Sequence, residues 1–213
     1  MLFHDQQRQL YNYCEEHSTH HSALLAELYR ETNIRTLKPR MASGPLQGRF
    51  LAAIAMMKKP QYILEVGTFT GYATLCLAEG LAADGQITTI EVNAELAYIS
   101  NKYFKKSPWS SQIKPVVGDA LDLLAALDDG IDMVFIDAKK RDYIKYYDLI
   151  IDKVKSGGLI LADNILWDGK VLDASPDRTT QSIKEFNSYV AKDLRVHNVI
   201  FPLRDGVNIM VKR

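Results

Sequence analysis

Residues 62–81, YILEVGTFTGYATLCLAEGL, decide the fold. Tyr62-Ile63-Leu64 is apolar and β-prone and runs into Glu65-Val66-Gly67. A short turn of threonine and glycine follows. Tyr72, Leu75, Leu77, Ala78 and Leu81 then recur at roughly helical spacing, as one apolar face of a helix would. A strand, a glycine turn and a helix in that order build a nucleotide pocket at the carboxyl end of a parallel sheet. Gly67 and Gly71 let the backbone approach a ligand closely and take dihedrals that a Cβ forbids. Two glycines alone suit a plain strand-to-helix turn equally well.

The variant carries more than the presence of the turn. A dinucleotide fingerprint needs G-x-G-x-x-G, with helix amides aimed at a pyrophosphate. Here the run is E-V-G-T-F-T-G, with a carboxylate before the first glycine and no third glycine. That carboxylate would repel a pyrophosphate but suits a ligand with an ammonium group. S-adenosylmethionine, whose α-amine sits beside a sulfonium, meets that description. The turn therefore argues against an NAD(P)-linked oxidoreductase, the rival reading on the same kind of sheet.

Outward from this stretch the chain changes texture. Residues 1–58 read as helices without strands. Leu10, Tyr13 and Cys14, then Leu24, Leu25 and Leu28, mark two short helical faces. His17, His20 and His21 between them could share a helix face. Metal binding there is conceivable, but surface histidines are the commoner reading. A third helix is better signposted, with Ser43 as N-cap, Pro45 in the first turn and Phe50, Leu51, Ile54 and Met57 at core spacing. From 61 onward strand and helix alternate. Strands are expected at 87–92, 113–119, 131–138 and 159–164, with Gly157-Gly158 ending the helix before the last of these. The near-continuous apolar run of 131–138 suits a central strand buried on both faces. A helix from Ser182 to Lys192 precedes two β-rich runs joined by Arg204-Asp205-Gly206, a hairpin turn. The expectation is an α/β fold: a doubly wound, mostly parallel seven-stranded sheet with extra amino-terminal helices and a carboxy-terminal antiparallel hairpin. At 213 residues the chain is long enough for one such domain, 1–213, with 1–58 as a helical cap and 61–213 as the core.

Charge excludes some partners. The 26 basic and 26 acidic residues cancel, which gives no electrostatic case for nucleic acid or an anionic membrane. Two cysteines, Cys14 and Cys76, fit reduced thiols rather than a disulfide frame. With no signal peptide and no apolar run of membrane length, a cytoplasmic protein is expected.

The carboxyl ends of adjacent strands line one crevice in such a sheet. Every expected parallel strand ends on or near an acid: Glu65, Glu91, Asp119, Asp137 and Asp163. Glu91 could accept both hydrogen bonds of a ribose diol. Asp119 could accept from an adenine amine, cap the helix that begins at Ala120, or do both. Asp137, Asp163 and Asn164 offer only oxygen, which suits Mg²⁺ or Ca²⁺ rather than zinc. An ordinary surface ion pair between Asp163 and a lysine is the bland alternative.

Taken together, ILEVGTFTGYATLCLAEGL, TTIEVN, VVGDA, DMVFIDAKKRDYIKYYDLI, GGLILADNILWDGKV and DGVNIMVKR resemble the cation-dependent class I O-methyltransferases. That family contains catechol and caffeoyl-CoA O-methyltransferases, and its bacterial members look most similar. The resemblance covers nearly the whole chain and implies a Rossmann-like methyltransferase fold. It implies a divalent ion (Mg²⁺, or Ca²⁺ or Mn²⁺) on Asp137, Asp163 and Asn164, with Lys140 as general base. Contacts to S-adenosylmethionine would fall on Met41, Glu65, Gly67, Thr68, Gly71, Glu91, Gly118, Asp119, Ala120 and Asp137. Met41, Lys140 and Trp167 would face a catechol or hydroxycinnamoyl-type acceptor, and a homodimer is implied. Ala73 stands where the family usually has serine, and Asn208 where it often has threonine.

The implied chemistry is an in-line displacement at a sulfonium methyl. Its difficulty is the nucleophile, because a phenol of pKa about 10 is mostly protonated at neutral pH. A cation on both oxygens of a vicinal diol would stabilise the phenolate while Lys140 removes the proton. That role asks for a lysine with a lowered pKa, and the adjacent cation supplies that push. A non-catalytic S-adenosylmethionine-binding protein is a further alternative.

Overall fold

The computed structural model describes the backbone of residues 2–213 and the side chains of residue 6 and residues 8–213. Three helices come first: α1 (Leu2–Glu16), α2 (Ala23–Arg35) and α3 (Gly44–Lys58). The alternating part follows as β1 (Tyr62–Val66), α4 (Tyr72–Ala78), β2 (Gln86–Glu91), α5 (Ala97–Lys106), β3 (Ile113–Val117), α6 (Ala120–Leu124), β4 (Ile131–Ile136), α7 (Tyr143–Ile150) and β5 (Val154–Asp163). The chain closes with α8 (Arg178–Lys192), β6 (Val196–Phe201) and β7 (Val207–Lys212).

The seven strands form one sheet in the order β3-β2-β1-β4-β5-β7-β6. β1 to β5 are mutually parallel, β7 runs antiparallel to β5, and β6 pairs antiparallel with β7. The strand order reverses between β1 and β4, which is where a doubly wound sheet opens its crevice. Alternate strand residues serve two layers. Leu64, Val66, Val134, Ile136, Ile160, Ala162 and Met210 bury against the side of α7 and α8. Ile63, Met133, Phe135, Leu161 and Val207 bury against the side of α2, α3, α4 and α5.

Several helix starts follow from local chemistry. Ser22 accepts from the Leu25 amide at the start of α2, and Asp177 from the Thr180 amide at the start of α8. The Asp177 cap moves the start of α8 upstream of Ser182. Ser43 stands at the head of α3 but makes no capping bond.

Other sequence expectations are corrected. All seven residues of α4 are buried, so its apolar stripe is part of an apolar cylinder, and Leu81 lies beyond it. The buried face of α3 is Gln47, Gly48, Leu51, Ala52 and Ala55. Phe50 and Ile54 are only half-buried, and Met57 is 74% exposed. Leu10, Tyr13 and Cys14 are likewise exposed. His17, His20 and His21 lie between α1 and α2, so they share no helix face. His17 bonds the Tyr13 carbonyl and His21 the Tyr72 hydroxyl. Gly157-Gly158 does not precede β5 but lies inside it. Ile131 pairs with Val154 and Met133 with Leu159, so the extra β5 residues form a bulge at the glycines.

Candidate active site

The turn after β1 is shaped by the protein's own packing before any ligand is considered. Gly67 has φ +105°, and a Cβ there would overlap the carbonyl oxygen of Asp137 on the next strand. Gly71 has φ +91°, and a Cβ there would run into the Phe104 ring. Both glycines are thus required sterically. They bring the turn against the end of β4, where Asp137 donates its amide to Val66.

The acids divide into those buried inside the fold and those at the crevice. Glu65 is interior to β1 and fully buried beneath α4, where one carboxylate oxygen accepts from Thr74 and, at 2.5 Å, from Thr89. Its other oxygen, Oε1, has no protein partner. Burial pushes this carboxyl up to about 8, against the two threonine hydroxyls, which favour the ionised form. Thr68 continues this hydrogen-bonded group, 2.5 Å from the Thr89 hydroxyl. Glu91 ends β2 and is tied by backbone amides: Phe69 N donates to Oε2 at 2.7 Å and Asn93 N to Oε1 at 2.9 Å. Each oxygen keeps a lone pair, so the diol-binding geometry is compatible with both contacts. Gly118 donates to the Glu91 carbonyl, and exposed Asp119 caps α6 through the Leu121 amide at 2.9 Å. Ala120 is buried as the first residue of that helix.

At the ends of β4 and β5 the structure brings Asp137, Lys140 and Asp163 together. Lys140 Nζ lies 2.8 Å from Asp137 Oδ1 and 2.6 Å from the Tyr143 hydroxyl. Tyr143 in turn donates to the Asp163 carbonyl at 3.0 Å, which fixes its proton and leaves its lone pairs to the lysine. Asp163 accepts from Gln47 Nε2 at 2.6 Å and from the Asn164 amide at 2.8 Å. Burial first, and the neighbouring Asp137 charge second, push the Asp163 carboxyl upward. Asn164 follows at φ +58°, a left-handed conformation that asparagine tolerates.

The lowering expected of Lys140 comes from an adjacent cation, whereas the chain's own groups push the other way. Burial lowers its pKa, but Asp137, Tyr143 and Asp163 outweigh burial and hold the ammonium above the usual lysine range. Lys139 is exposed and paired with Asp142 instead. Two carboxylates that repel each other in a buried place call for a cation, and here the Lys140 ammonium answers that demand. The donor set is all oxygen, so it fits a hard divalent ion. It holds only two acids, in keeping with the absence among the described residues of any cluster of three or more His, Cys, Asp or Glu suited to a metal.

Met41 lies in a single helical turn, Pro39–Met41, and is 54% exposed. Trp167, at φ +51°, packs partly buried on the α7–α8 side of the core.

A strand-ordered crevice lined by these acids is matched by what the whole chain resembles: the O-methyltransferase family profile covers residues 15–213. The chain belongs to the O-methyltransferase family. A catechol O-methyltransferase of Niastella koreensis is 34% identical over 170 residues, which is 78% of this chain and 77% of that protein. A caffeoyl-CoA O-methyltransferase of Stellaria longipes is 32% identical over 216 residues, 95% of this chain and 89% of that one. The crystal structure of the SAH-bound Podospora anserina methyltransferase PaMTH1 superposes with a TM-score of 0.90 at 27% identity, covering 98% of this chain and 96% of that chain.

Within this O-methyltransferase, Ala73 is buried at the second position of α4. Thr74 does not substitute for the missing serine hydroxyl, because its own hydroxyl is turned onto Glu65. Asn208, the other departure, is buried on β7 and accepts from Asn198 at 3.2 Å. Gln47, Thr89 and Tyr143 do not stand out in the sequence, because each sits in an element that reads as plain helix or strand. A glutamine on the buried face of α3 was the one available signal.

Proposed function

We propose that this O-methyltransferase carries a methyl group from S-adenosylmethionine to one hydroxyl of a catechol-like or hydroxycinnamoyl-type acceptor, with a divalent cation held by Asp137, Asp163 and Asn164. The methyl donor is S-adenosylmethionine. The observation that carries the cation is the pair of repelling aspartates at adjacent strand ends, with the Lys140 ammonium paired to Asp137 beside them. For the donor it is the turn after β1, where Gly67 and Gly71 at positive φ leave the backbone bare beside the Glu91 carboxylate.

When bound, Mg²⁺ or a similar ion supplies Lewis acidity that lowers the pKa of the acceptor's vicinal hydroxyls. The remaining work belongs to the chain. Lys140 Nζ takes the proton of the attacking hydroxyl, and Tyr143 holds that amine in place. Glu91 and Asp119 offer oxygen to the donor's ribose and adenine, and the Gly67–Gly71 turn with Thr68 leaves the backbone bare beside it. Gly118 and Ala120 set the floor of that pocket. Met41 and Trp167 border the acceptor, and holding donor and acceptor in line accounts for most of the rate.

We place the active form as one domain over 1–213, acting in the cytoplasm as a homodimer on small molecules rather than on nucleic acid or membrane. None of the helices among the described residues is long and apolar enough to cross a membrane. The edge strand β6, VHNVIF, has no charged residue to blunt it and exposes Val199 at 58%. The deciding experiment is a panel of catechols and hydroxycinnamoyl thioesters with S-adenosylmethionine, with Mg²⁺ or with EDTA, read by mass spectrometry. A methylated product in the Mg²⁺ arm alone is expected; full turnover in EDTA would refute the cation, and no product from any acceptor would refute the acceptor class.

A further inference from the structure

The turn between β6 and β7 is tied to both borders of the acceptor side. Arg204 Nη1 donates to the carbonyls of Ala42 and Ser43, each at 2.8 Å, and Nη2 to the carbonyl of Arg40 at 2.5 Å. These carbonyls flank Met41. One residue on, Asp205 accepts the Asp168 amide at 2.5 Å and the Leu166 amide at 2.9 Å, on either side of Trp167. The following Gly206, at φ +82°, accepts the Ile165 amide, and a Cβ there would overlap Leu166. The turn therefore holds the Met41 segment with one residue and the Trp167 loop with the next two.

Arg204 also reaches the site itself. Its Nη1 donates to Gln47 Oε1 at 3.1 Å, and Gln47 Nε2 donates to Asp163 Oδ2 at 2.6 Å. The amide orientation is dictated by its neighbours: a guanidinium can only donate and an ionised carboxylate only accept. Gln47 is fully buried, so it has no water to turn towards. A guanidinium held by three backbone carbonyls thus orients an amide, and the amide orients Asp163.

We propose that Arg204 and Gln47 are positioning residues, a clasp through which the Met41 segment, the Trp167 loop and Asp163 are set together. What the clasp positions rests on the function proposed above, but the clasp itself is a property of the free chain. Its consequence is coupling. Loosening Arg204 frees the Met41 segment and also removes the group that keeps the Gln47 amide aimed at Asp163. A plain loop anchor would do the first and leave the second untouched.

Two measurements test it, one of them on protein without cation or donor. Trypsin cleavage between Arg40 and Met41, followed by mass spectrometry, reads the segment directly. In Arg204→Ala the rate at this bond rises about tenfold or more, and Arg204→Lys, with one donor group for two, falls between. The second is Mn²⁺ affinity in the presence of S-adenosylhomocysteine, by calorimetry. Gln47→Leu weakens Mn²⁺ about tenfold and leaves S-adenosylhomocysteine affinity within about twofold. Arg204→Ala weakens Mn²⁺ too, yet adds nothing when made on top of Gln47→Leu, because the amide it orients is gone. A wild-type cleavage rate in Arg204→Ala overturns the clasp, and so do additive losses of Mn²⁺ affinity. Should the wild-type protein bind no Mn²⁺ at all, the cation reading falls, and the clasp is judged on cleavage alone.

Discussion

Gln47 Nε2 stands 2.6 Å from Asp163 Oδ2, although 116 positions separate the two residues in the chain. With the Asn164 amide on the other oxygen, Asp163 is held by two donors, and the charges of Asp137 and Lys140 act on it from nearby. A buried carboxylate held this way beside a second carboxylate is a poor arrangement for stability on its own. It is a good arrangement for a cation.

That trade has a direct test in Asp163→Asn, which keeps the shape and removes one charge. Methyl transfer falls by more than about a hundredfold. The cation-free variant melts no lower than wild type, since a repulsion has gone. Magnesium at a hundredfold excess over its Kd raises the wild-type Tm by roughly 5–10 °C and leaves the variant unmoved. Thermal melts with and without Mg²⁺ read all of this, and an equal Mg²⁺ shift in both proteins would remove Asp163 from the cation site.

Lys140 must give up its proton before it can take one from the acceptor. The amine acts only in its neutral form, so kcat/KM climbs with pH up to the lysine's pKa in the cation-loaded enzyme and levels above it. Lys140→Met lowers kcat by roughly 10²–10⁴-fold and flattens the climb. A pH–rate profile of the variant parallel to wild type would assign the base elsewhere.

Glu65 makes stability depend on pH in a stated direction. Its carboxyl is raised to about 8 in the folded protein from an ordinary value near 4.5, so the native state binds the extra proton between those pH values. Stability from this residue is therefore present below pH 4.5 and lost as pH rises to 8, at no more than about 1.4 kcal/mol per unit. Glu65→Gln, which mimics the protonated acid, removes that slope. Urea unfolding at pH 5, 6.5 and 8 should show the variant gaining on wild type as pH increases. Parallel curves would mean that Glu65 is not protonated in the native state.

Gly67→Ala probes the turn on which the crevice is built. The new methyl would overlap the Asp137 carbonyl at a φ that alanine disfavours, so the expected loss is about 3 kcal/mol or more. Chemical denaturation measures it, and a change below about 1 kcal/mol would show that β1 and β4 can move apart.

Much of this architecture was legible because it is local. The strand–turn–helix of 62–81, the acids at successive strand ends and the terminal hairpin each lie in a short window, and windows fix periodicity. The misreadings have physical causes. Gly157-Gly158 looked like a helix stop because a bulge inside a strand uses the same residues as a turn. Helix α4 looked amphipathic because an apolar stripe and an apolar cylinder share a spacing until the packing is known. Glu65 was read as a crevice acid, whereas strand alternation turns it inward beneath α4. Gln47, Arg204 and Tyr143 act through contacts with other elements, and no pattern along the chain announces such contacts.

The account depends most on one cation being shared by Asp137, Asp163 and Asn164. Crystals grown with MnCl₂ and S-adenosylhomocysteine, measured for anomalous scattering at the manganese edge, test this most directly. A single manganese peak at bonding distance from all three side chains, with Lys140 Nζ withdrawn from Asp137, is the predicted result. A fully occupied donor site with no manganese there, or with manganese bound to other residues, would contradict it.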